Sequence, residues 1–206
     1  MKQKKTFLFF VMGATNVGKS TFLQSVKDAW PNDVHLVEVG KALRAKYPPE
    51  YFQGQGNPAH TQQEAIDLCF AGILDGEFLG RRYILVDGQP RDVGQAESIM
   101  KFDGCSSLRE RAVIELVCPR EERRRRAMNR DRSDGSSLAL ALERLDRDVL
   151  QLHEVLLAFT KYQIHRFNTG KETYEPLSAF QHVLHQYGAL FNSPQSVTFS
   201  DAENPL

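Results

Sequence analysis

The first strongly apolar run, Thr6-Phe-Leu-Phe-Phe-Val-Met12, shows no polar residue at alternate positions, which is the pattern of a strand buried on both faces. A glycine-bounded loop follows, and then Phe22, Leu23, Val26 and Trp30 recur at helical spacing. The order is strand, loop, helix. A second short strand is expected at His35 to Val39, a helix at Lys41 to Lys46, and a break over Tyr47 to Pro58, where Pro, Gly and Gln dominate. Thr61 and Glu64 have the spacing of a capping box ahead of Ala65, Ile66, Leu68, Cys69, Ile73 and Leu74, which predicts a helix of about five turns from that point. Next come a strand at Arg82 to Asp87, a helix at Val93 to Phe102, a strand at Ala112 to Val117 and a helix opened by Pro119. The longest helix is expected over Leu138 to Phe159, a fifth strand over Gln163 to Phe167 and a last helix over Pro176 to Tyr187. Strands alternating with helices predict an α/β fold with a parallel five-stranded sheet and right-handed crossovers. Residues 191–206 have little periodicity and are expected to form a flexible tail beyond one domain at 1–190.

Composition narrows the function classes. The chain has 206 residues, 26 Lys plus Arg balanced by 26 Asp plus Glu, 41% hydrophobic residues and 25% charged. That length can bury a core without staples, and zero net charge gives no global attraction to nucleic acid or to an anionic membrane. Phe7 to Met12 is too short to span a bilayer and has no small-residue cleavage pattern behind it, so a cytoplasmic protein is expected. Cys69, Cys105 and Cys118 lack the spacing of metal ligands or of a redox pair, and read as free thiols. His182 and His185 share a helix face without a third ligand in sight.

Gly13-Ala14-Thr15-Asn16-Val17-Gly18-Lys19-Ser20, followed by Thr21, fits G-x-x-x-x-G-K-S and lies between a buried strand and a helix. In that context the backbone N–H groups turn inward on phosphate oxygens and the helix adds the positive end of its dipole. Lys19 would reach the β and γ phosphates of ATP, and the Ser20 hydroxyl would bind Mg²⁺. The chain lacks the N-K-x-D segment of GTPases and is short for a helicase or motor, which favours a small-molecule kinase built as a P-loop NTPase three-layer sandwich. Asp87, at the end of the third strand, is a second candidate Mg²⁺ residue, because strand ends of a parallel sheet gather at one edge.

Val86-Asp87-Gly88-Gln89-Pro90-Arg91-Asp92-Val93-Gly94-Gln95-Ala96-Glu97 resembles the D-G-[FY]-P-R-x-x-x-Q-A-E segment of adenylate kinases and other nucleoside monophosphate kinases. The resemblance implies that Arg91 holds the acceptor's phosphate and Gln95 its base, with Gly88 beside them; a cap on the following helix is the other role open to Gln95. Gly40-Lys41-Ala42-Leu43-Arg44 resembles the family's T-G-D-L-L-R, which makes Arg44 a second acceptor-phosphate ligand. Gly54-Gln55-Gly56-Asn57-Pro58 resembles its G-x-L-V-P, which places Asn57 along the acceptor base. A small arm for the nucleoside monophosphate at about 40–80 and a short lid at about 127–137 are implied by the same order of segments.

Arg120, Arg123, Arg124, Arg125, Arg126, Arg130 and Arg132 crowd one short region. Such a run is ordinarily a solvated helix face or a nucleic-acid patch. The resemblance gives it another meaning, since the family has an R-x-x-x-R helix, a G-R-x-D-D-N lid and an R-L pair in this order. By that match Arg126, Arg132 and Arg144 clamp the transferring group together with Lys19, and Arg123 lies against the donor base. Arginine suits the task because it stays charged and offers planar, paired donors to phosphate. ATP- and Mg²⁺-dependent phosphorylation of a nucleoside monophosphate is therefore expected, with Gln95 favouring AMP, a monomer sufficing and nucleic acid not required. Val39 and Lys41 replace a hydroxyl and an acidic residue of the family pattern, and Gly135 replaces the second lid aspartate.

Overall fold

The computed structural model describes residues 6–48, 59–101, 108–129, 138–159 and 161–188. Its elements are β1 (Thr6–Met12), α1 (Lys19–Ala29), β2 (Val34–Val37), α2 (Val39–Lys46), α3 (Ala59–Phe78), β3 (Tyr83–Asp87), α4 (Val93–Lys101), β4 (Leu108–Val117), α5 (Arg120–Asn129), α6 (Leu138–Ala158), β5 (Gln163–Asn168) and α7 (Pro176–Gln186). The five strands are all parallel and ordered β2-β3-β1-β4-β5, so the first strand in sequence is the central one.

That position explains its composition. Phe7, Phe9 and Val11 face one core with Phe22, Leu23 and Val26 of α1 and Phe180, Val183 and Leu184 of α7. Leu8, Phe10 and Met12 face the other, with Cys69 and Ile73 of α3, Ile99 of α4 and Val155 of α6. The result is a three-layer α/β sandwich in which every residue of β1 is buried. Phe180 is the hub of the first core, its ring 5.6 Å from Phe9, 5.7 Å from Trp30 and 5.6 Å from Tyr83. Cys69 is buried and Cys118 half-buried, both as free thiols; burial pushes the Cys69 thiol up to about 12, which leaves it protonated and unreactive.

Three expectations shift. The second strand stops at Val37, and Val39, expected at its end, already opens α2, where the Glu38 carbonyl accepts from Lys41 and Ala42 N–H. The capping box gives way, because α3 begins at Ala59, before Thr61, and the Glu64 carboxylate instead accepts from Tyr47 Oη and Lys46 Nζ, tying the end of α2 to α3. Finally, β4 begins at Leu108 rather than Ala112. Pairing with β1 extends down to Thr6 and supplies backbone partners to the polar stretch that the apolar pattern had left out. Glu115, opposite Met12 at the far end of this pairing, is buried and accepts from Arg166 Nε on β5 at 2.7 Å, as a charge inside a sheet must.

The turn out of β1 is tight. At Gly13, φ is 152°, and a Cβ there would stand 2.5 Å from the Leu116 carbonyl oxygen and 2.8 Å from Val17 Cγ2. Backbone cannot yield as a side chain can, so Gly13→Ala is expected to cost about 1–3 kcal/mol and to lower Tm by roughly 2–4 °C for each of them, measured by thermal unfolding.

Burial also depresses two imidazoles. His35 lies below its ordinary value mainly through desolvation, partly offset by Asp75, and His165 through desolvation and the nearby His182. The unfolded chain takes up these protons at about pH 6.5 and the native state resists them, so stability is complete above that pH and falls as pH drops through the native values. Unfolding free energy followed between pH 8 and 5 should be level at first and then decline below about 6.5. In His165→Gln the decline should be shallower.

Candidate functional site

The C-terminal ends of the parallel strands collect at one edge, and the loop leaving β1 is the centre of that edge. Ala14 and Val17 are buried and anchor the loop, while Gly18, at φ 98°, turns it into α1. Lys19 curls back over the loop and donates from Nζ to the carbonyls of Gly13 at 2.6 Å and Ala14 at 3.2 Å. Ser20 and Thr21 are exposed in the first turn of α1. Thr15 Oγ1 donates to Asp148 Oδ2 on α6. The Val17 carbonyl accepts from Thr169 Oγ1 at 2.6 Å and from an Arg126 amino group at 3.1 Å.

Beside the loop stands the segment after β3. Gly88 N–H donates to Val11 O at 3.0 Å, and a Cβ on Gly88 would lie 3.7 Å from Lys19 Cε, so the lysine runs directly past the Asp87–Gly88 turn. Gln89–Pro90 is a cis peptide bond. Burial raises the Asp87 carboxyl above its ordinary value; Lys19, Arg91 and Arg44 pull it back down, and Glu38 adds to the rise. These five groups therefore share one electrostatic neighbourhood. Within it, a Cβ on Gly40 would meet Arg44 at 3.4 Å and Arg91 at 3.5 Å, which puts two guanidinium groups against the same spot at the start of α2.

Gln95 is turned the other way. Its Oε1 accepts from Arg91 N–H at 2.8 Å, while its own N–H donates to Asp92 Oδ1 at 2.8 Å, a reciprocal cap on α4 that leaves the side chain only 4% exposed. Of the two roles open to it in sequence, capping is the one its carbonyl oxygen fills.

The arginines of α5 separate into different jobs. Arg123, expected against the donor base, is 5% exposed and donates to the Leu145 carbonyl at 2.7 Å, which joins α5 to α6. Arg125 and Arg126 both bond Glu122, and those hydrogen bonds hold its carboxyl down to about 2. Arg126 lies against the loop after β1, with one amino nitrogen on Val17 O and on Thr169 Oγ1 at 3.2 Å and the other on Thr169 O at 2.7 Å. Asn57 and Arg132 fall outside the described residues, as do Cys105, the tail at 191–206 and residues 130–137 of the lid expected at 127–137, whose first three residues close α5. The backbone of Arg144 belongs to α6, but its side chain is likewise outside them.

Sequence reading passed over Glu38, Glu122 and Asp148. Two of them had a legible signal: Glu122 lies one helical turn before Arg126 on α5, and Asp148 one turn beyond Arg144 on α6. Among the described residues no group of three His, Cys, Asp or Glu could hold a metal ion, so a cation here would rely on Asp87, Ser20 and oxygens brought by a ligand. No described helix is long and apolar enough to cross a membrane.

No family model matches the chain, and no curated protein matches it by sequence. Its likeness is to solved structures. One, an unliganded sugar kinase from Janibacter sp. HTCC2649, superimposes with a TM-score of 0.61 over 89% of this chain and 95% of that one, at 14% identity. At that identity the likeness is one of fold: this chain shares the three-layer α/β architecture of that structure.

Proposed function

We propose that the protein is a nucleoside monophosphate kinase, transferring the terminal phosphoryl group of ATP to a nucleoside monophosphate. The observation that carries it is the convergence of Arg44 and Arg91 at Gly40, in the same neighbourhood as Lys19 and Asp87. Two guanidinium groups set against one point repel each other, and an anion between them offsets that cost. A phosphate on the acceptor is the anion that their paired donors match.

In this scheme 1–190 is one kinase domain acting as a monomer, with the acceptor arm at 40–80 and a short lid at 127–137. The loop from Gly13 to Thr21 cradles the phosphates of ATP, and Lys19 exchanges its bonds to Gly13 and Ala14 for phosphate oxygens. Asp87 and Ser20 would hold Mg²⁺, whose contribution is to neutralise charge on the donor phosphates. Asp87 suits that part, because its buried carboxylate lies among cations that favour the ionised form against desolvation. Arg132 and Arg144 complete the clamp on the transferring group. The acceptor phosphate is already an anion, so no general base is required, and positioning with charge neutralisation is the whole of the catalysis.

A second reading has its own observation. Glu38 and Asp87 close neighbouring strands β2 and β3, and a carboxylate at that place could take the proton from a hydroxyl of a small metabolite. The arginine pair is what that acceptor would leave unused.

Assayed for ADP formation with ATP and Mg²⁺, a panel of AMP, CMP, UMP, GMP and their deoxy forms is expected to show stimulation by at least one. ADP formation raised only by a hydroxyl acceptor would move the assignment to the second reading, and strong salt-sensitive binding to RNA or DNA without turnover would remove both. Arg91→Ala should raise the acceptor KM by about ten- to a hundredfold, the worth of a charged hydrogen bond, and leave the ATP KM within about threefold. Equal damage to both substrates would take Arg91 out of the acceptor site.

A further inference from the structure

Within the phosphate loop one residue is held at a cost. Asn16 has φ 64°, in the left-handed region that few residues with a Cβ adopt and Asn adopts more readily than most, and its side-chain Nδ2 is buried with no hydrogen-bond partner. Each condition is unfavourable, and the two persist together only where the surroundings over-determine the conformation. The residues on either side show how. Thr15 is fixed by its hydroxyl to Asp148 of α6, 133 positions away in sequence. Val17 is fixed by its carbonyl to Thr169, beyond β5, and to Arg126 of α5. Three separate elements therefore pin the loop immediately before and after Asn16. The residue cannot relax without breaking bonds to one of them.

A donor kept from both water and protein acceptors awaits an acceptor that arrives with a ligand. In a loop of inward N–H groups closed by Lys19, that acceptor is an oxygen of a polyphosphate. We propose that the Asn16 side chain is itself a phosphate ligand, donating from Nδ2 to the triphosphate of ATP, and that Asp148 is a positioning residue that holds Asn16 in place through Thr15. The inference rests on the kinase reading for the identity of the nucleotide and goes beyond it in giving the side chain, not only the loop backbone, a part in binding. It also gives a part to the carboxylate beside the loop, since Asp148 accepts from the Thr15 hydroxyl.

The test compares Asn16→Gly, Asp148→Ala and Thr15→Val with the wild type, reading ATP affinity by calorimetry, kcat and Tm on the full chain. Glycine accepts φ 64° without strain, so Asn16→Gly should keep or raise Tm, yet weaken ATP binding by about ten- to a hundredfold, the range of a hydrogen bond to a charged acceptor. Asp148→Ala and Thr15→Val should weaken it in the same direction. Adding Asp148→Ala to Asn16→Gly should bring no further loss, because the positioned group is already gone. Asp148→Asn, which keeps an acceptor for the Thr15 hydroxyl, should restore most of the affinity lost in Asp148→Ala. Wild-type affinity in Asn16→Gly would overturn the inference, and so would losses that simply add in the double variant. A wild-type protein that binds ATP but phosphorylates no monophosphate would remove the acceptor assignment alone, and the comparison of ATP affinities would still decide the role of Asn16.

Discussion

A strand covered by helices on both faces and by strands on both edges can carry no chemistry along its length. β1 is in that situation: β3 and β4 flank it, and each of its side chains enters one core or the other. Polar function is thereby confined to the point where the strand ends, and the backbone there has to turn at once because Leu116 blocks any side chain on Gly13. Everything attributed to the site follows from that exit. The same parallel arrangement delivers Asp87 and Glu38 to the same edge, so one buried strand fixes where the glycine-bounded loop and the two carboxylates can meet.

Charge in the molecule is allotted by the same confinement. Arg123 and Arg126 belong to a run that reads as a basic patch, but each donates to protein carbonyls, joining α5 to α6 and to the loop after β1. Arg125 is taken up by Glu122, and Arg166 by a glutamate inside the sheet. Arg44 and Arg91 are brought toward one another at Gly40. Counting arginines draws attention to α5; following where each guanidinium lies leads to the start of α2 as well.

Much of this was legible in the sequence, for reasons that also mark its limits. The apolar run of β1, the glycines of the loop and the long amphipathic stretch of α6 are local signals, and those elements appear within a residue or so of where the pattern sets them. Boundaries moved where backbone pairing rather than apolar content decides, as at the start of β4. Glu64 bonds Tyr47, Asp148 bonds Thr15 and Glu115 bonds Arg166, partners that lie 17, 133 and 51 positions apart. No spacing rule covers such separations. Each of those contacts exists only once the sheet has brought distant segments together.

The two rims of the sheet have a consequence of another kind. β2 offers only four residues at one rim, and β5 at the other is largely exposed, with the charged Arg166 along it. A neighbouring molecule seeking to add a strand would find one rim too short to register against and the other requiring it to bury a cation. The architecture that gathers Lys19, Glu38 and Asp87 at the strand ends therefore also discourages lateral growth into fibrils, and does so with a residue whose ion pair to Glu115 already neutralises the interior of the sheet.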